Sequence, residues 1–150
     1  MNQYLLDTNV VSETRKSRPH GAVMQWLSGL DEGRAFLSAV TLGELQAGIE
    51  KTRHQDPAKA EEIERWVDQL TAVHAVLPMD VPCFREWARI MDTKPHELLE
   101  DAMIAATARV HHLIVATRNE RDFRQLDVRT FNPFRNQSQI RCGTRVAGDS

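Results

Sequence analysis

No apolar run in this chain of 150 residues approaches the roughly 20 needed to cross a bilayer, so a membrane span is excluded. Low-complexity tracts and internal repeats are also missing. The stretch Met1 to Asp7 lacks a basic leader and reaches an acid too early for a signal peptide, so a cytoplasmic location is the expectation. Cysteine is scarce. Cys83 and Cys142 lie far apart and match no disulfide or zinc pattern, so they read as free thiols in a reducing compartment. A catalytic Ser/His or Cys/His set is not evident. His111 and His112 cannot serve one metal from one helix face, because adjacent residues point about 100° apart. Charge of one sign is lacking too: the net value is −2.

What is present is uneven charge and a regular alternation of elements. Arg15, Lys16 and Arg18 form one basic knot, and Arg118, Arg121, Arg124, Arg129, Arg135, Arg141 and Arg145 crowd the last quarter. Arginine is the better phosphate fork, although a solvated, salt-bridged surface accounts for such charges equally well. The length fits one domain with a single core, read as residues 1–135, with a flexible tail over 136–150.

Tyr4-Leu5-Leu6 predicts a short buried strand, Ala22 to Leu30 a helix stopped by Gly33, and Ala35 to Ser38 a second strand. Thr41 then opens a helix to about Arg53. Asp56-Pro57 starts another, with Ala60, Ile63, Val67 and Leu70 as its stripe. Val76-Leu77 is a brief strand. Asp80 and Pro82 open a helix with Phe84, Trp87, Ala88 and Met91 inward, ended by Pro95. Glu97 to His112 is an Ala-rich helix, Leu113 to Ala116 the clearest buried strand, and Val128 to Phe131 a weaker last one. The three tryptophans lie on helical patterns and read as core. Short apolar strands alternating with helices predict an α/β fold with a mainly parallel sheet covered on both faces. Ligands of such sheets bind beyond the carboxyl ends of the strands.

The acids matter against that rule. Asp7 ends the first strand, where it can reach a ligand or cap the next helix. Glu44 follows the second strand in Thr41-x-x-Glu44, which is also the pattern of a capping box. On the late helix, Glu100, Thr107 and His111 share the outer face, while Asp101 flanks the apolar stripe beside Ala105 and Ala108. An acid there is costly unless something positive or hydrogen-bonding meets it; the alternative is a first-turn acid favoured by the helix dipole. Asp122 lies past the clearest strand, in a segment whose Thr117 and Asn119 suit a turn equally well. Carboxylates converging on one edge repel one another and raise each other's pKa, and a divalent cation removes that repulsion. Oxygen ligands without Cys or His favour Mg²⁺ or Mn²⁺ over zinc.

Four segments in order carry a resemblance: Leu6-Asp7-Thr8-Asn9, Thr41-x-x-Glu44-Leu45, Glu100-Asp101-Ala102-Met103-Ile104-Ala105-Ala106-Thr107-Ala108, and Thr117-Arg118-Asn119-x-x-Asp122-Phe123. Over residues 3–134 the chain resembles PIN-domain ribonucleases, in particular the VapC-type toxins of toxin–antitoxin pairs. It departs from them at Asn119, where many family members carry an acid. The resemblance implies a three-layer α/β/α fold, Mg²⁺-dependent endoribonuclease activity, an antitoxin partner and a homodimer.

On that reading Asp7, Glu44 and Asp101 hold one or two Mg²⁺ ions, with Mn²⁺ able to substitute, and Asp122 joins directly or through water. A metal-activated water attacks phosphorus in line, leaving 5′-phosphate and 3′-hydroxyl ends. Thr8, Asn9, Thr117 and Asn119 orient carboxylates or waters. Arg118 and Arg121 are candidates to touch RNA phosphates, with surface pairing as the alternative. Two rivals remain. One is an aspartyl-phosphate phosphatase or receiver-like domain using Asp7, although the phosphatase pattern wants Asp-x-Asp and the chain has Asp7-Thr8-Asn9. The other is a non-catalytic module that binds RNA or protein on the same fold.

Overall fold

The computed structural model describes residues 1–135. The expected tail over 136–150, with Arg141, Cys142 and Arg145, lies outside the described residues. Five parallel strands, β1 (Tyr4–Leu6), β2 (Ala35–Ser38), β3 (Ala75–Leu77), β4 (Ile114–Ala116) and β5 (Thr130–Phe131), form one sheet in the order β3-β2-β1-β4-β5. The chain builds outward from β1 to β3, then returns to the other side of β1 to lay down β4. Strand order therefore reverses beside β1, and the crevice between the carboxyl ends of β1 and β4 is where this topology places ligands.

Seven helices cover the sheet: α1 (Thr8–Val11), α2 (Gly21–Ser28), α3 (Ala39–Gln55), α4 (Pro57–Val73), α5 (Val81–Met91), α6 (Leu99–His111) and α7 (Glu120–Arg124). The pleat sorts the core into two layers, because successive strand residues face opposite ways. Leu5 and Val115 point to α5, α6 and α7, packing with Ile90, Ile104 and Phe123. Leu6 and Ala116 point the other way, to Val10, Val11, Val23 and Leu70. The expected three-layer α/β/α arrangement is what the chain adopts.

Several local expectations change. The helix expected to open at Thr41 begins at Ala39, capped by Ser38, whose Oγ accepts from the Val40 amide at 3.1 Å. Thr41 is thus already inside the first turn and the capping box with Glu44 does not form. The inward face of α5 is rotated from the one expected. Cys83 and Ile90 are buried with Trp87 and Met91 beside them, whereas Ala88 is exposed and Phe84 is 44% exposed. A small, apolar thiol side chain takes the inside position, and Phe84 lies edge-on to Trp87 at 6.0 Å. Thr107, expected on the outer face of α6, is fully buried; its hydroxyl donates to the Met103 carbonyl at 2.9 Å, which satisfies it inside the core. The segment expected as continuous helix from Glu97 begins as a 3-10 turn (His96–Leu98), and α6 stops at His112, whose left-handed backbone (φ 57°) caps it. Helices α1 and α7, of four and five residues, were not expected from periodicity.

Candidate functional site

Asp7 sits where β1 runs into α1 and is 6% exposed. Its two carboxylate oxygens divide the alternatives read from sequence. Oδ1 accepts from the Thr8 amide at 2.8 Å, the capping role. Oδ2 accepts from the Thr117 hydroxyl at 2.8 Å and from Asn9 Nδ2 at 3.2 Å, a bond set that crosses the crevice between β1 and β4. Thr117, fully buried, is itself fixed: its Oγ1 accepts from the Asn119 amide at 2.9 Å. Asn9 Oδ1 accepts from the Arg118 amide at 3.1 Å. The ends of two strands are thereby tied through one carboxylate. Burial raises the pKa of Asp7, against the three hydrogen bonds that lower it.

Glu44 projects from α3 toward the same place, and Thr8 Oγ1 donates to its Oε2 at 3.3 Å. Its carboxyl is pushed up to about 7, first by burial and then by the negative charges of Glu100, Asp7 and Asp101. Asp101, in the first turn of α6, is pushed up to about 6 by burial and by the charges of Asp7, Asp122 and Glu100. Asp122 reaches the group from α7, a helix the sequence reading had as a turn. Asp7, Glu44, Asp101 and Asp122 are therefore gathered from four elements into one electrostatic neighbourhood.

Sequence reasoning missed Glu100, which it assigned to the outer face of α6. Its charge is the leading acidic influence on Glu44. The available signal was its adjacency to Asp101 at the helix start. Glu13 was missed as well. It is 4% exposed, and it accepts from Lys16 Nζ and from the His20 amide at 2.9 Å. The Arg118 guanidinium lies 3.8 Å above the Phe134 ring, and its charge favours ionised Glu13. Arg121 is exposed on α7.

The residues fit a hard divalent cation in their chemistry. Every donor is a carboxylate, hydroxyl or amide oxygen, and two carboxyls are held at raised pKa first by burial and then by neighbours of their own sign, with no Lys or Arg among the influences that shift them. They do not form a closed shell: among the described residues no three His, Cys, Asp or Glu side chains stand where they jointly enclose an ion.

A parallel α/β sheet with acids from four elements at its carboxyl crevice defines a class of acid-cluster α/β domains. Within it, the sequence profile of the PIN domain matches residues 4–129. The chain belongs to the PIN-domain family. It is 37% identical over 136 residues to Toxin FitB of Neisseria gonorrhoeae, covering 87% of this chain and 97% of that protein. It is 32% identical over 141 residues to VapC ribonuclease Y4jK of Sinorhizobium fredii, covering 87% and 96%. The crystal structure of FitAcB from Neisseria gonorrhoeae superposes with a TM-score of 0.79 at 33% identity, over 89% of this chain and 100% of the other.

Proposed function

We propose that this protein is a divalent-metal-dependent endoribonuclease of the VapC type, the toxin of a toxin–antitoxin pair. The single observation that carries this is the gathering of Asp7, Glu44, Asp101 and Asp122 beside the β1/β4 crevice of a PIN domain, with three of them at raised pKa. The relatives named as a toxin and as a VapC ribonuclease support the activity class. An antitoxin protein and a second copy of the chain are the proposed partners, and the cytoplasm is the proposed location. Among the described residues no helix is long and apolar enough to cross a membrane.

In this reading Asp7, Glu44 and Asp101 would hold Mg²⁺, with Mn²⁺ able to replace it, and Asp122 would be the fourth member of the set. When bound, the ion lowers the pKa of a water and neutralises charge on the phosphoryl oxygens. The protein does the positioning. Thr117, Asn9 and the Thr8 amide fix both oxygens of Asp7, so this ligand is set before substrate arrives. Thr8 aims Glu44. Asn119 acts through Thr117, by its backbone amide. Arg118 and Arg121 are the candidates to contact phosphate, and the Arg118 guanidinium lies over the Phe134 ring, a stacking that leaves its N–H edge free.

Purified protein incubated with a mixed single-stranded RNA pool tests the proposal. Cleavage with Mg²⁺ or Mn²⁺, stopped by chelator and leaving 5′-phosphate ends, is expected. Intact RNA retained on the protein would favour a binding module instead.

A further inference from the structure

Two open pockets are neighbours on the side of the molecule that Glu44 lines. The first, about 200 Å³, has Arg15, Glu44, Gly48 and Thr52 in its lining together with apolar Leu45, Ile49 and Ile63. The second, about 480 Å³, is lined by Arg15, Lys16, Ser17, Arg18, Lys59 and Glu62. Arg15 lines both, so the two lie side by side. Along α3, Glu44, Gly48 and Thr52 recur every four residues and share a face. They reach about 12 Å from the acid group at the helical rise of eight residues. The space over Gly48 is open: a Cβ built there meets nothing within 4 Å.

The two pockets differ in sign. The first has a carboxylate surrounded by acids, and the second has four cations with one acid. Lys59 has only an exposed partner in Glu62 at 3.7 Å, and Lys16 is shared with buried Glu13. Among the described residues, Arg15 and Arg18 have no carboxylate within ion-pair distance, and Arg15 is steadied 6.0 Å from the centre of the Trp66 ring. A basic pocket two helical turns from an acid cluster suits a chain whose scissile phosphate sits at one end and whose neighbouring phosphates need charge at the other.

We infer that the groove from Glu44 past Gly48 to Arg15, Arg18 and Lys59 is the track for the single-stranded RNA flanking the cut, with the basic pocket holding its backbone phosphates. The inference rests on the proposed nuclease reading, since it takes the acid group as the point of cleavage. It predicts sequence-independent affinity from this side, because phosphate contacts position a strand without reading bases.

The test is fluorescence anisotropy with an end-labelled, unstructured RNA oligomer between 50 and 200 mM salt, using the full chain with Asp7→Asn so that the probe is not consumed. Adding Arg18→Glu and Lys59→Glu should weaken binding roughly tenfold and lower the slope of log K against log salt by about 1.4, at about 0.7 per single-strand phosphate contact. Gly48→Gln, which helix propensity favours over glycine, should weaken binding by obstruction with the slope kept. The matched reversal Arg85→Glu with Arg89→Glu, on α5, should change neither. Unchanged affinity and slope in the Arg18/Lys59 variant would overturn the track, as would loss of a co-purified partner protein with RNA binding intact. The outcomes separate from the parent reading. Native protein that cuts RNA with no change in slope removes the track alone, whereas a falling slope with no cleavage keeps the track and removes the nuclease.

Discussion

Two buried acidic corners lie close together in this molecule and are built on opposite terms. Glu13 is nearly inaccessible, yet its carboxyl is held below the ordinary range, chiefly by Lys16 and also by the His20 amide and the charge of Arg118. Glu44 and Asp101 are less deeply placed, yet theirs are pushed up to about 7 and about 6. Burial does not separate the two corners, since it acts in the same direction on all three. The difference is the company. Glu13 has its cation inside the fold. The crevice acids have one another, and Glu44 has in addition a hydroxyl from Thr8. An acid neutralised from within serves the structure; acids left to repel are where the proposed cation would bind.

The largest effect expected on this contrast comes from Asp7→Asn. It should reduce RNA cleavage to background while circular dichroism stays unchanged, because the amide keeps the shape and loses the charge. Unchanged cleavage would remove Asp7 from the chemistry. Next is Thr117→Val, which preserves volume at a fully buried position and removes the hydroxyl that fixes Asp7 Oδ2. A loss of roughly 10–100-fold in activity or metal affinity is expected for such a supporting contact, read by cleavage rate and metal titration.

Glu13→Ala tests the other corner. It strips the His20 amide and Lys16 of their acceptor, and a loss of about 1–3 kcal/mol is expected in urea unfolding. The metal dependence of cleavage should be unchanged. If it shifted instead, Glu13 would belong with the crevice acids.

The smallest effect is in the pH profile. Glu44 and Asp101 bind protons more tightly folded than unfolded, so they favour the folded state most below about pH 4. That contribution is lost as pH rises through about 6 and about 7. Glu13 acts oppositely: its contribution is present above the ordinary carboxylate pKa and lost as pH falls. In chelator, Glu44→Gln should therefore flatten the decline in Tm between pH 5 and 7. Millimolar Mg²⁺ should raise the Tm of the native chain more at pH 8 than at pH 5.5, since the cation competes with protons for the same oxygens. A Mg²⁺ response independent of pH would place the ion elsewhere.

Much of the crevice was legible in the sequence because it depends on residue type at strand ends. Asp7 closes β1, Thr117 follows β4, and both positions come from short apolar runs that could hardly be other than buried strands. What was not legible depended on contacts between segments. Helix α7 spans five residues, too few for a helical period to register, so Asp122 read as part of a turn. Thr107 and Cys83 are small residues whose burial is decided by the packing of α5 on α6, and polarity misplaced the first. Glu100 was set aside because its helix face pointed outward on a wheel; it is exposed, yet its charge still acts on Glu44 and Asp101, which a wheel does not represent. The capping box failed for a local reason: Ser38, three residues earlier, took the cap.

A crystal soaked in Mn²⁺ and measured for anomalous scattering tests the account most directly. The predicted result is a peak bounded by Asp7, Glu44 and Asp101 at oxygen-ligand distances, with the Asp7→Asn crystal weak or blank there. A peak bound only by other residues, or a crevice that stays empty at millimolar Mn²⁺ above pH 7, would contradict it.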